Sequence, residues 1–543
     1  MSPTANVSEL VAAMRGLSVT SNWDVVVSYT TERLNSVLDD LWIRGGLGNA
    51  FPIKPKKSDG QVENDYDMRL HKPRLSFATN SAASAILRMD ISGSCWVGGR
   101  KQGGKVVDIH AGTFQIEFEV PLISVPGGVS MQGNQIPSDK ISHPNSLVDF
   151  GPAPDQNIIF HFKAIPQEKW ELKTMDQEAA DSLDATIDMS EVASELHTWF
   201  YDNVKDVDYT IAQVNNQTIP DAANFKILRP ESFVFACCGD GAEAVLSIYI
   251  KIQDSGFNSG DLNPTWPIAP GNQVYRPVPA GFEASVIIRH EIMRQSLLDS
   301  INSSVKLPSG QPAATDTRDN NEDGFKFSVK VNRDYVQDTW KDSTLADWLP
   351  LPIMREHGGK LFGDLENSPL TLRIQNNDVA WSLGHWQKNI LWQRDNHWSD
   401  PPSGVIGSVD AYCWVDHRDK LVTSQSNLKA PVYTFKAVDH FKFSFTPQPD
   451  PDPRSKWSFW KQFFNPPGPY RWTEDLPAKF GGYQVHFDDV AFTFQGLNFL
   501  LTKNVFANPV KQDVIQVDTD QGLLTPHDVM LVGKVVQPTE KDR

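Results

Sequence analysis

From Trp23 to Trp42 the chain passes from one hydrophobic pattern to another. Val25, Val26, Val27 and Tyr29 are β-branched and aromatic residues that suit a strand. After Thr30 and Thr31, either of which can cap a helix, Leu34, Val37, Leu38, Leu41 and Trp42 recur at i, i+3, i+4, i+7 and i+8. A helix of about 12 residues is marginal alone, so this stripe predicts a larger element that covers it.

Elsewhere a period of two dominates. Phe114, Ile116, Phe118 and Val120 alternate with Gln115, Glu117 and Glu119; Leu87, Met89 and Ile91 do so around Arg88 and Asp90, and Ile158, Phe160 and Phe162 around His161. In the second half Leu370, Leu372 and Ile374 alternate, as do Phe441, Phe443 and Phe445. Such strands build antiparallel sheets that are dry on one face. Helical spacing returns at Val192, Leu196, Trp199 and Phe200, with Ser190 as the expected cap, and in the bulky run from Trp457 to Phe464 between two proline clusters. Sheets curled around a few helices bury both patterns.

Three pairs of stretches resemble each other in the same order: Val25 to Tyr29 with Val286 to His290, Asp206 to Asn215 with Asp489 to Asn498, and Leu228 to Phe235 with Leu524 to Leu531. They predict two copies of one fold, residues 1–250 and 281–543. The proline-rich stretch 251–280 forms the bridge, and Val245 to Ile252 just ahead of it reads as a strand. The expected class is α+β and β-rich, a long curved antiparallel sheet wrapped around a helix in each copy. Asp59 to Asp65, Gly127 to Asn145 and Ser303 to Gly324 are polar and read as loops.

Composition narrows the function. A chain of 543 residues exceeds what one core usually serves, and 37 prolines with 35 glycines favour many short elements joined by turns. Fifty Lys and Arg against 67 Asp and Glu give a formal charge of −17, which opposes phosphate backbones and argues against a nucleic-acid partner. The opening, with Glu9 and Arg15, lacks a signal-peptide core, and no later run approaches a membrane span. Cytoplasmic synthesis is expected, with any release by a non-classical route; the sequons at Asn6, Asn216 and Asn302 matter only in a secretory pathway.

Candidate chemistry is sparse. Gly99 to Lys105 has the glycines and lysine of a phosphate loop, but Val106 stands where Ser or Thr should follow, and the next residues read as a strand; a basic hairpin tip is the expectation. Cys95, Cys237, Cys238 and Cys413 lack metal-ligand spacing and read as buried thiols. The pair His385 and His397 fits no ligand pattern, and the acidic stretch Asp316 to Gly324 lacks the ordered positions of a calcium loop. No catalytic residue, metal or cofactor is assigned.

Two features suit a ligand surface. The first is aromatic: Trp457, Phe459, Trp460, Phe463, Phe464, Tyr470 and Trp472 lie between basic residues and resemble a membrane-contact segment, although a bulky helix face covering a sheet explains them too. The second is basic: Lys54, Lys56, Lys57, Arg100, Lys101 and Lys105 suit anionic headgroups if their loops lie together, and otherwise are solvated tips.

Trp23 to Val27, followed by Leu34 and Asn35, resembles the start of the accessory proteins encoded beside some clostridial botulinum neurotoxin genes, the forty-seven-kilodalton protein and its OrfX relatives. Gly496 to Asn498, Asn504 to Phe506 and Thr525 to Gly533 are similar to that family's closing segment, with His527 where the family favours glycine. The resemblance implies the tubular lipid-binding fold, no enzymatic activity, and binding of a lipid or other amphipathic molecule, with peripheral membrane contact and a toxin or accessory protein as partner. A pocket enzyme of hydrophobic-metabolite biosynthesis and a structural protein-interaction module with filled concave surfaces are the competing readings.

Overall fold

The computed structural model describes residues 4–36, 39, 51–53, 64–77, 84–126, 148–149, 155–160, 170–183, 187–202, 209–215, 226–227, 230–239, 244–268, 275–304, 312, 314–318, 323–329, 339–343, 356–360, 370–394, 405–420, 423–425, 432–435, 444–448, 490–493, 514–518 and 520–536. The chain falls into two compact units. The first comprises Met1–Ile292, Gln425–Tyr433 and Phe492–Arg543, and the second Met293–Ser424 and Thr434–Ala491. Both are built on large, curved antiparallel sheets, an α+β, strand-rich architecture.

In chain order the first unit holds α1 (Val7–Met14), β1 (Val25–Thr30), α2 (residues 31–36), β2 (Phe51–Ile53), β3 (Asn64–Leu70), β4 (Arg74–Ser76), β5 (Ser84–Val97), β6 (Lys105–Pro126), β7 (Val148–Asp149), β8 (Asp155–Phe160), β9 (Trp170–Thr174), α3 (Met189–Asp202), β10 (Tyr209–Asn215), β11 (Pro230–Cys238), β12 (Val245–Ile252), β13 (Ala284–Ile288), β14 (Val514–Val517) and β15 (Val529–Val536). The helix α4 (His290–Ser304) follows β13.

A central sheet runs in the order β14, β15, β13, β1, β12, β11, β7. The valines of β1 lie at its middle, with Val26 opposite Tyr249 on one side and Ile287 on the other. A straight row of Met530, Ile287, Val26, Tyr249 and Val234 crosses five strands on one face. Leu531, Val286, Val27, Ile248 and Phe235 cross on the opposite face, and all ten side chains are buried. Two dry faces explain three consecutive valines where a half-exposed strand would alternate. On the first face the cover is Leu10 and Met14 of α1 together with Val19, Trp23, Ile268 and Leu524. An Asn6–Glu9 capping box starts α1, and the Trp23 indole N–H donates to the Asp261 carbonyl at 2.9 Å.

Two matching sets of hydrogen bonds frame β1 and β13. Asp24 N–H donates to Ile250 O and its carboxylate accepts from Ile252 N–H; Glu283 N–H donates to Gly533 O and its carboxylate accepts from Val535 N–H. Between the strands, Thr30 N–H donates to Glu283 O and Arg289 N–H to Asp24 O. Asp24 and Glu283 thus occupy equivalent places, a register two residues away from the pairing of Val25 with Val286 that the side-chain pattern alone suggests.

The second sheet of this unit runs β10, β8, β6, β5, β3, β2, with β4 paired to β5 and β9 to β6. The alternating residues behave as their spacing predicts: Leu87, Met89, Ile91, Phe114, Ile116 and Phe118 are buried on one face. Asn64 and Asp65, expected in a loop, already belong to β3. Their polar groups are satisfied across the hairpin tip, where the Asn64 side-chain oxygen accepts from Gly98 N–H at 3.0 Å and the Asp65 carboxylate from Arg100 N–H at 2.8 Å. Helix α2 starts at residue 31 and buries Leu34; Val37, Leu38, Leu41 and Trp42 lie outside the described residues. Asn35 grips the backbone of Leu75 in β4 from both sides, donating to its carbonyl at 3.0 Å and accepting from its N–H at 2.6 Å.

In the second unit Ala314–Asp316, Phe325–Val329, Leu370–Gln375, Asp378–Arg394, Val405–Lys420 and Ser444–Gln448 pair in that order, all antiparallel. Leu372 and Ile374 are buried, as alternation predicts. The expected loop from Ser303 to Gly324 instead contains the last residues of α4 and a strand. Asn302 accepts from Ala314 N–H at 2.8 Å, and the Arg318 guanidinium donates to Gly324 O at 3.2 Å.

Asp24 is fully buried, and its charge is met by the Lys251 ammonium at 2.9 Å. Lys251→Met should leave that carboxylate unpaired and cost about 3–5 kcal/mol in denaturant unfolding. Adding Asp24→Asn to that variant should restore a large part of the loss.

Candidate functional site

The second sheet of the first unit buries one apolar face, and α3 lies against it. Helix α3 packs on β9 and reaches the edge strand β2. The Trp170 ring of β9 stacks on Phe118 at 4.3 Å and meets the edge of His197 of α3 at 5.2 Å, which puts α3 on the same face as Phe118. Met189, Val192 and Leu196 form its buried stripe. The cap is Asp188 rather than Ser190: its carboxylate accepts from Ser190 N–H at 2.9 Å, so Ser190 already sits in the first turn. Opposite α3, Tyr66, Met68, Leu70, Leu87, Met89, Ile91 and Ile116 are each at most 2% exposed, so none of these residues borders an open channel. The side chains of Trp199 and Phe200 lie outside the described residues.

At the far end of β5 and β6 is the hairpin tip that carries three of the predicted cations. A short 3-10 turn, Arg100–Gln102, closes it, and β6 follows at once from Lys105, so no helix N-terminus faces the glycines as a phosphate loop requires. Arg100 is committed internally: its guanidinium pairs with the Asp67 carboxylate and lies over the Trp96 ring at 3.7 Å. Lys101 and Lys105 are exposed, and Val106, directly opposite Trp96, is 51% exposed. The tip therefore presents two ammonium groups beside an apolar side chain. Alternation alone could have flagged Val106, but the neutralising role of Asp67 and the backbone contact of Asp65 depend on their pairing with a distant hairpin.

Lys54, Lys56 and Lys57 follow β2 outside the described residues, as do Trp457, Phe459, Trp460, Phe463, Phe464, Tyr470 and Trp472. His385 falls in the Asp378–Arg394 strand, while His397 is also outside them.

The ionisable groups that the structure perturbs have structural settings. Burial pushes the Cys238 thiol up to about 11 against the opposing pull of Arg276, which suppresses the thiolate a nucleophile needs. Burial likewise pushes Tyr66 up to about 12, although Asn64 favours its ionised form. On the outer face of the second sheet, burial raises the Glu117 carboxyl, but Lys173 at 2.6 Å and Arg88 at 2.5 Å outweigh it and hold it below the usual range. Among the described residues no group of three or more His, Cys, Asp and Glu side chains is placed to hold a metal ion, and no helix is long and apolar enough to cross a membrane.

No protein-family model matches the chain, and no curated protein matches it. Among solved structures it is similar to P47 from Clostridium botulinum A2, at 11% identity over 95% of this chain and 98% of that one, with a TM-score of 0.45. It is also similar to P47 of Clostridium botulinum E1, at 11% identity, 95% and 99% coverage and a TM-score of 0.43. A lipopolysaccharide binding protein matches at 10% identity, 95% and 99% coverage and a TM-score of 0.24.

A carboxyl held below its unfolded value stabilises the fold above that value and loses its contribution as pH falls through the folded one. Wild type should therefore unfold at a higher temperature than Glu117→Gln at neutral pH. The gap should close as pH drops below about 4.5, the ordinary value for this group, in a melting series against pH.

Proposed function

We propose that this protein is a non-enzymatic binder of amphipathic molecules, lipids in particular, that works in peripheral contact with membranes. The observation that carries the reading is the apolar face of the second sheet, continuous from Tyr66 and Met68 through Leu87 and Met89 to Ile116 and Phe118, with the amphipathic helix α3 upon it. Side chains of this kind recognise a hydrocarbon chain by area rather than by directed bonds. The hairpin tip supplies the complementary element, with Lys101 and Lys105 for an anionic headgroup and Val106 for the interface. The aromatic set from Trp457 to Trp472 would add a second contact. A role as accessory to a toxin or to another accessory protein follows from the resemblance at both ends of the sequence.

A protein-interaction module is the second reading, and the near-complete burial of the face beneath α3 favours it. Native mass spectrometry with lipid extraction separates the two: a copurifying lipid supports the first, and absence of lipid together with no binding to anionic vesicles leaves the second. Reversing Lys101 and Lys105 to Glu should weaken vesicle binding by at least about fivefold per residue, on the scale of 1 kcal/mol per surface cation. Trp457→Ala with Trp460→Ala should lower vesicle binding with the fold intact; global unfolding of that variant would assign these residues to a core instead.

A further inference from the structure

The apolar face of the second sheet raises a problem for any amphipath: it is already occupied. Val192 and Leu196 of α3 are fully buried and the side chains opposite are closed to solvent, so a hydrocarbon chain has no vacant course along them. Helix α3 is marginal as an isolated helix. It has 14 residues, too few for stability alone, and an acid, Asp202, with no basic residue in its last turn, where the helix dipole favours a cation. Its N-terminal end is better anchored. Asp188 caps Ser190, and the Asp188 backbone N–H donates to the Tyr66 hydroxyl. Further along, the helix meets the sheet through Val192 and Leu196, with the edge of His197 against Trp170.

We infer that α3 is an exchangeable plug: the alkyl chain of an amphipath binds by displacing it from the sheet, with the Asp188–Tyr66 end as the pivot. This rests on the amphipath-binding reading and adds a mechanism to it. Helix and ligand compete for one surface, so the affinity observed is the intrinsic affinity reduced by the fraction of molecules in which α3 is displaced.

Competition fixes the sign of every test. With the fluorescent fatty acid cis-parinaric acid as probe, Leu196→Ala removes part of the helix's own burial and should tighten binding by about tenfold or more. Asp202→Arg places a cation in the last turn and should weaken binding by about twofold. Hydrogen exchange over residues 189–202 should rise when the probe binds, the reverse of what a ligand seated between helix and sheet would cause. Unchanged or weaker binding by a folded Leu196→Ala protein overturns the plug, as does increased protection of residues 189–202. If Leu196→Ala does not fold, undiminished affinity in Asp202→Arg overturns it equally. Absence of probe binding in wild type and both variants would reject the amphipath-binding reading itself, an outcome distinct from wild-type binding that does not respond to the helix.

Discussion

One buried carboxylate ties together strands of the first unit that lie more than two hundred residues apart in sequence. Asp24 accepts from Lys251 and Ile252 through the same oxygen, and its own carbonyl accepts from Arg289, so β1, β12 and the end of β13 meet at one residue. Its equivalent at the other end of the pair, Glu283, makes the same backbone contacts, but Lys534, which precedes Val535 as Lys251 precedes Ile252, is exposed. The two places share a geometry and differ in electrostatics: only the Asp24 end encloses a full ion pair, where a missing partner would leave a charge in a dry setting. Asp528 performs a related task from the closing stretch. Its carboxylate accepts from Val19 N–H at 2.7 Å and His290 N–H at 3.0 Å, joining the segment after α1 to the first turn of α4. Burial pushes this carboxyl up, while those N–H donors, His527 and Ser18 pull it back.

Around this frame, hydrophobic burial is arranged in two ways. The central sheet is dry on both faces, and α1 with the stretch around Trp266 and Ile268 covers one of them. The second sheet is dry on one face, and its other face carries ion pairs such as Arg88 with Glu117. The first arrangement makes a rigid floor, because ten side chains in two straight rows leave little freedom to repack. The second lays α3 across an apolar wall.

Much of this was legible from residue pattern, because alternation and helical spacing are local signals. The strands carrying Leu87 to Ile91, Phe114 to Phe118 and Leu370 to Ile374 follow directly from their period of two. So does the hairpin tip at Arg100, where a strand replaces the helix that phosphate binding needs. What was not legible depends on partners distant in the chain. Asn64 and Asp65 look like loop residues until the tip of β5 and β6 satisfies them, and Arg100 looks like a free cation until Asp67 and Trp96 claim it. Asp188 outcompetes Ser190 as a cap by two positions, a distinction the spacing of Val192 and Leu196 cannot make. The buried roles of Asp24, Lys251 and Asp528 leave no trace in periodicity at all.

The order of strands in the central sheet also governs when the molecule can be completed. During synthesis β1 emerges early but has no neighbour until β12 and β13 have been made, more than two hundred residues later. Val19 cannot reach its acceptor until Asp528 exists, and Met530 arrives with it to finish the row that α1 covers. Until β12 and β13 are made, the valines of β1 are an unpaired, apolar edge of the kind that invites aggregation. Closure by β15 makes completion of the sheet depend on synthesis past residue 528: a chain arrested earlier would present an uncovered sheet and an unfastened segment around Val19, both recognisable to quality control.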